Sequence, residues 1–347
     1  MKLRKITAII LTAILMLSLV CVSASAAKVT VIPEQFTGGV GPETEGYSID
    51  YRYFSPVKEN DSTKYPLVIW LHGMGDGEFE GKQVTTSPIG NWTSDEYQSR
   101  FKDSGGAFIF APRSLEEKSL YWPDSLVYPL RAAIDDFIEK NKDNIDIKRI
   151  YIGGYSMGGK MTLKMAVAYP DMFAALFPIC PAWIPGEDAT SYLKDIPVWL
   201  TSSASDPLVN YYTYLIPTWE NIIAQSNVAK DCRLSTLAMS LNEKGLPTFN
   251  GHNAWVSVTN DMFSAKNKPY PVTKTQNGFG EKVELTYPNG MISWLSGFTS
   301  NYDGSKATDS GNDEVLTSDA RAQGLNNIKV FMVNFCKYIF YMLDFTK

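Results

Sequence analysis

Short apolar runs punctuate the first two hundred residues: Leu67-Val68-Ile69-Trp70-Leu71, Ala107-Phe108-Ile109-Phe110, Ile150-Tyr151-Ile152 and Ile196-Pro197-Val198-Trp199-Leu200. Each is almost unbroken in hydrophobic side chains, which suits strands buried on both faces of a parallel sheet. Upstream, Tyr47-Ser48-Ile49-Asp50-Tyr51-Arg52-Tyr53 alternates apolar and polar residues as a half-exposed strand does. The stretch 28–64 is therefore read as an antiparallel N-terminal strand pair. Apolar residues recur at helical spacing over 126–140 and 159–168, between the runs. Strand and helix alternate, and the pattern predicts an α/β fold with a doubly wound, mostly parallel sheet. Ligands of such sheets bind beyond the carboxyl ends of the strands, so the residues just after each run are the first to inspect.

Two later stretches break the alternation. Residues 265–290, rich in Lys, Pro, Thr and Gly, read as an inserted loop or hairpin, and the polar segment 300–313 reads as a mobile loop. Its acids, Asp303, Asp309 and Asp313, lack the spacing of a calcium loop. The aromatic-rich stretch 325–345, interrupted by Asn334 and Lys337, reads as a helix docked on the surface.

At the N-terminus Lys2, Arg4 and Lys5 precede an apolar run over 6–22 and the small residues Ser23-Ala24-Ser25-Ala26-Ala27. Basic, apolar and small residues in that order form a secretory signal, with cleavage after Ala26. An uncleaved anchor is the rival reading, since the run approaches the roughly 20 residues of a bilayer span. The expected organisation is a signal over 1–26 and a single domain over 27–347, secreted and without stable membrane insertion. Cleavage removes three bases and no acids, which makes the formal charge of -5 more negative still. That balance argues against nucleic acid as a partner, because phosphate binding needs clustered Lys and Arg. With 44% hydrophobic and 20% charged residues, the composition is that of a globular chain and not of a disordered one. Cys21 falls in the signal, and the remaining Cys180, Cys232 and Cys336 allow at most one intramolecular disulfide. No paired Cys or His spacing points to a metal, and nothing implies a cofactor.

The chemistry gathers after the strands. Ile150-Tyr151-Ile152 leads into Gly153-Gly154-Tyr155-Ser156-Met157-Gly158-Gly159 and then a helical pattern. This is G-x-S-x-G in the strand-turn-helix setting of a nucleophile elbow, with glycines where the turn leaves no room for side chains. A serine needs a base to attack at neutral pH. The chain has two histidines. His72 lies in the Gly-rich turn after Leu71, where an oxyanion hole is commonly supplied, so elimination gives His252 the base role and leaves His72 to brace the turn. The acid follows a strand between serine and histidine in this chain order. Asp206 ends the stretch after Leu200; Asp195 precedes that strand, and Asp188 and Asp231 follow no strand. The oxyanion donors are expected to be the backbone N–H groups of Met157 and Met74. Trp92, Trp122, Trp183 and Trp255 lie in or near the expected site loops and are candidates for stacking on sugar or phenolic rings.

Leu71-His72-Gly73-Met74-Gly75-Asp76, Gly154-Tyr155-Ser156-Met157-Gly158-Gly159 and Gly251-His252-Asn253-Ala254-Trp255 together resemble the phospholipase/carboxylesterase and polyhydroxybutyrate-depolymerase-like branch of the α/β-hydrolases. Feruloyl esterases and single-domain relatives of prolyl oligopeptidase are similar. The likeness runs from about Tyr47 to Trp255. It implies an α/β-hydrolase fold and a Ser156-Asp206-His252 triad acting on carboxylic esters, whether small molecules or ester groups on plant polysaccharide. Two alternatives stand beside it: a serine peptidase of the prolyl-oligopeptidase type, and a non-catalytic carbohydrate-binding scaffold.

Overall fold

The computed structural model describes residues 33–114, 122–241, 247–248, 250–261, 273–309 and 311–312, all within the unit Ile32–Lys347. The proposed signal, the 325–345 helix and Cys336 lie outside the described residues.

Strands β1 (Thr37–Val40), β2 (Asp50–Phe54), β3 (Tyr65–Leu71), β4 (Phe108–Pro112), β5 (Ile145–Tyr155), β6 (Ala175–Ile179), β7 (Trp199–Ser203) and β8 (Arg233–Leu237) enter one sheet. Strands β9 (Ser240–Leu241) and β10 (Pro247–Thr248) form a small antiparallel pair, and β11 (Thr273–Asn277) returns to the main sheet. Its order is β1-β2-β4-β3-β5-β6-β7-β8-β11. The block from β4 to β8 is parallel, while β1, β2 and β11 pair antiparallel with their neighbours. β3, β4, β6 and β7 are buried along their whole length, and for β3 and β4 that burial is why they read as unbroken apolar runs.

Side chains alternate across the sheet. Leu67, Ile69 and Leu71 of β3 join one core cluster with Leu130, Ile134 and Phe137 of helix α1 (Val127–Lys140). Val68 and Trp70 face the other way, into a cluster with Trp92, Tyr155 and Phe177. From β3 the chain crosses to β4 on one side and then to β5 on the other. The crevice of a doubly wound sheet opens at such a reversal, here between the carboxyl ends of β3 and β5. Ser156 and helix α2 (Met157–Ala168) follow β5 directly.

Both later stretches that broke the alternation meet the rest of the fold at defined places. The described part of the 265–290 stretch begins with β11, which extends the sheet edge beside β8, and turns back as a hairpin in which Val283 N–H donates to Thr275 O at 2.9 Å. The irregular segment 300–312 is anchored at several points. Ser300 N–H donates to Lys148 O at 2.8 Å, and the buried Tyr302 hydroxyl meets Arg131 at 3.0 Å and Asp135 at 3.3 Å. Tyr169 and Asn312 tie its far end to helix α2 and the residue after it. Most polar side chains of the segment stay exposed, while the Tyr302 hydroxyl, Ser305 O and Ala307 N–H meet the buried ion pair of Arg131 with Asp135. No described helix is long and apolar enough to cross a membrane.

Candidate active site

The turn after β5 is as tight as the glycines implied. Ser156 takes φ 55°, ψ -114°, a conformation that L-residues rarely adopt and that functional sites retain when the surroundings enforce it. A Cβ on Gly154 would stand 2.3 Å from Leu71 O, and one on Gly158 would stand 2.2 Å from the same atom. β3 therefore presses against the turn from behind. Ser156 N–H is tied to Ile179 O at 2.9 Å, and its carbonyl receives N–H groups from Lys160 and Ala182. The serine is nearly buried and stands at the amino end of α2, where backbone N–H groups lack intrahelical partners.

His252 and Asp206 come together from loops 46 residues apart, with Nδ1 donating to Oδ2 at 2.8 Å. The other carboxylate oxygen, Oδ1, accepts from Leu208 N–H at 2.8 Å and Val209 N–H at 2.9 Å. Asp206 is fixed on both sides, and its bond leaves His252 Nε2 as the imidazole's acceptor. Gly251 lets the two loops touch, since a Cβ there would lie 2.2 Å from the Ser205 carbonyl carbon. Burial opposes a charge on His252, yet the Asp206 carboxylate outweighs it and holds the imidazole above its ordinary value.

His72 is occupied differently. It is fully buried; Ser114 N–H donates to its Nε2 at 3.0 Å, and its Nδ1–H donates to Gly73 O at 2.7 Å. Burial pulls its pKa down to about 4, so the ring stays neutral and both nitrogens are committed. Trp122 Nε1 adds a bond to His72 O at 3.0 Å. The β3 turn bearing Met74 is braced by these contacts, with Tyr155 beneath Gly73 and its hydroxyl bonded to Asp76.

The tryptophans divide three to one. Trp92 and Trp122 are fully buried, their indole N–H groups bonded to the backbone oxygens of Thr259 and His72. Trp183 is 2% exposed, with the Lys164 ammonium 4.2 Å from its ring centroid. These three fill core and offer no face to a substrate, which corrects the expectation for them. Trp255 keeps partial exposure, stacks on Tyr155 at 4.2 Å and stands edge-on to His252 at 5.5 Å. Asp195 lies exposed with Asn227 as partner, and Asp188 is likewise exposed. A neighbour that the sequence did not flag is Cys180, buried beside His252 and a free thiol, as is Cys232.

The comparisons agree with this architecture. A bifunctional acetylxylan esterase/xylanase of Neocallimastix patriciarum is 24% identical over 176 residues, which cover 48% of this chain and 23% of that protein. The chain thus spans less than a quarter of this relative's length in the matched region. A crystal structure of a thermostable esterase is 28% identical, with TM-score 0.55 over 66% of this chain and 61% of its own. The Esterase family matches residues 46–251. Because that match starts just before β2 and ends at the residue preceding His252, it takes in every strand of the parallel block, and the chain belongs to the Esterase family within the α/β-hydrolase superfamily.

Proposed function

We propose that this protein is an exported serine esterase that hydrolyses carboxylic esters through an acyl-enzyme. The observation that carries the reading is Ser156, held at positive φ after β5, at the same sheet end as a buried His252–Asp206 pair at 2.8 Å. In the proposed cycle Ser156 Oγ attacks the ester carbonyl carbon while His252 Nε2 takes its proton. The oxyanion is met by the N–H of Met157, at the start of α2, and the N–H of Met74 in the braced turn. Collapse breaks the bond to the alcohol, which leaves with the proton from His252. Water then attacks the acyl-serine by the same route and releases the acid.

Ester groups on polysaccharide are the substrate class we favour, with small esters accepted as model substrates. Support comes from the acetylxylan esterase relative and from Trp255, whose ring lies beside His252 with some surface free. The basic, apolar and small residues at the N-terminus support export.

The test is turnover of p-nitrophenyl esters, acetylated and feruloylated xylo-oligosaccharides and aminoacyl anilides by wild type and Ser156→Ala. We expect ester cleavage and fluorophosphonate labelling by the wild type, with both lost in the variant while the circular dichroism spectrum is kept. Labelling that survives in Ser156→Ala would put the nucleophile elsewhere, and anilide cleavage exceeding ester cleavage would make the protein a peptidase.

A further inference from the structure

Cys180 has no part in the ester chemistry, yet it stands against the residues that do. It follows β6 directly, between the strands that lead to Ser156 and to Asp206. Its backbone takes φ 36°, a left-handed value that a side-chain-bearing residue adopts only where the surroundings impose it. The thiol is fully buried and contacts His252 O at 3.7 Å. Taking one donor atom from each side chain, Cys180, Asp206 and His252 bring sulfur, carboxylate oxygen and ring nitrogen within 4.8 Å of one another.

A thiolate, an imidazole and a carboxylate form the donor set of a zinc site and are a poor set for calcium or magnesium. Around a tetrahedral zinc ion, such donors stand roughly 3.3–3.6 Å apart, given bonds of about 2.0–2.3 Å. Reaching those spacings widens the 2.8 Å His252–Asp206 contact by about 0.5 Å and closes the gaps that reach up to 4.8 Å by no more than about 1.5 Å. We propose that Cys180, Asp206 and His252 form an inhibitory site for a borderline-soft divalent cation such as Zn²⁺, with water in the fourth position. Its regulatory consequence rests on the esterase reading above. The ion replaces the thiol proton, which leaves to water, and takes the Nδ1 lone pair while the ring's proton shifts to Nε2. Thiolate and carboxylate then balance the two positive charges. An imidazole with its proton on Nε2 cannot accept one from Ser156, so the filled site stops turnover.

The experiment uses the chelator-treated full chain with two readouts. Co²⁺ replaces Zn²⁺ as an optical probe, and bound cobalt should give a thiolate-to-metal absorption in the near ultraviolet at one equivalent. Micromolar Zn²⁺ should lower p-nitrophenyl acetate turnover by at least about 10-fold, a floor well under the roughly 10⁴-fold effect of a wrong tautomer. EDTA should restore it. Cys180→Ser, which keeps a donor for the His252 carbonyl, should retain turnover, lose the absorption and resist Zn²⁺. His252→Ala should lose the absorption, while Ser156→Ala and Cys232→Ser should keep it. Absorption in Ser156→Ala without any wild-type ester turnover would sustain the metal site and sink the esterase reading. Absorption or inhibition that persists in Cys180→Ser, or is absent from the wild type, overturns the site.

Discussion

At Asp206 the two carboxylate oxygens have separate partners: Oδ1 is held by the N–H groups of Leu208 and Val209, and Oδ2 faces His252. Asp206→Asn preserves that shape but favours the wrong histidine tautomer, so turnover should fall by at least about 100-fold with little change in KM. Steady-state kinetics of this variant beside Asp195→Asn check the assignment. The control should be near neutral, since Asp195 is exposed and accepts a hydrogen bond from Asn227 far from the site. A pH profile adds an independent readout. The carboxylate raises the His252 pKa, and the base must be neutral, so the acid limb of kcat/KM should lie above the ordinary value of about 6.5 and move down in Asp206→Asn. The stability linkage has the opposite dependence. The stability this shift contributes is fully present below about pH 6.5, the unfolded histidine's value, and is lost as pH rises through the raised folded value. Asp206→Asn should therefore lose more unfolding free energy at pH 6 than at pH 10, measured by urea titration.

The elbow is legible as an element because its constraints are steric and local in sequence. Gly158 is packed so closely on Leu71 O that Gly158→Ala must displace β3 or the helix start, and we expect a loss of about 1–3 kcal/mol, read from urea midpoints. His72 acts on the neighbouring turn. His72→Ala removes the acceptor of Ser114 N–H and the donor to Gly73 O, so the melting temperature should drop while fluorophosphonate labelling by Ser156 persists. Loss of labelling without a lower melting temperature would instead make His72 the base. Other elements were hidden for physical reasons. β6 carries Pro178 in its middle, which a central strand rarely tolerates, and β8 mixes Arg233, Ser235 and Thr236 with its apolar residues because it lies near the sheet edge. β7 starts at Trp199, three residues after the apolar run begins, since Pro197 has no N–H for the ladder.

Across the whole molecule, distant segments are locked together by a few buried polar clusters. Tyr302 draws the 300–312 segment onto Arg131 and Asp135 of α1, at the opposite end of β5 from Ser156. Tyr302→Ala should reduce stability by about 3 kcal/mol, through lost packing and an exposed ion pair, and leave the kcat of the folded enzyme unchanged. Denaturation followed by assay below the transition separates the two effects. The sequence by itself determined what depends on neighbours a few residues away: the apolar runs of the parallel block, helices α1 and α2, the glycine-framed Ser156, and the order in which serine, acid and histidine arrive. Asp206 was reachable through that order together with its place after the apolar run that ends at Leu200. The tertiary structure decided everything that needs segments far apart to meet. Three tryptophans near the site loops turned inward, Trp122 and Trp183 into the core cluster shared with α1 and Trp92 into the cluster on the sheet's other face, and a polar segment became a strap because a buried Arg131–Asp135 pair needed partners. Cys180 came to lie beside His252, 72 residues away, because β6 and β7 are adjacent strands, and spacing along the chain carries no trace of that adjacency.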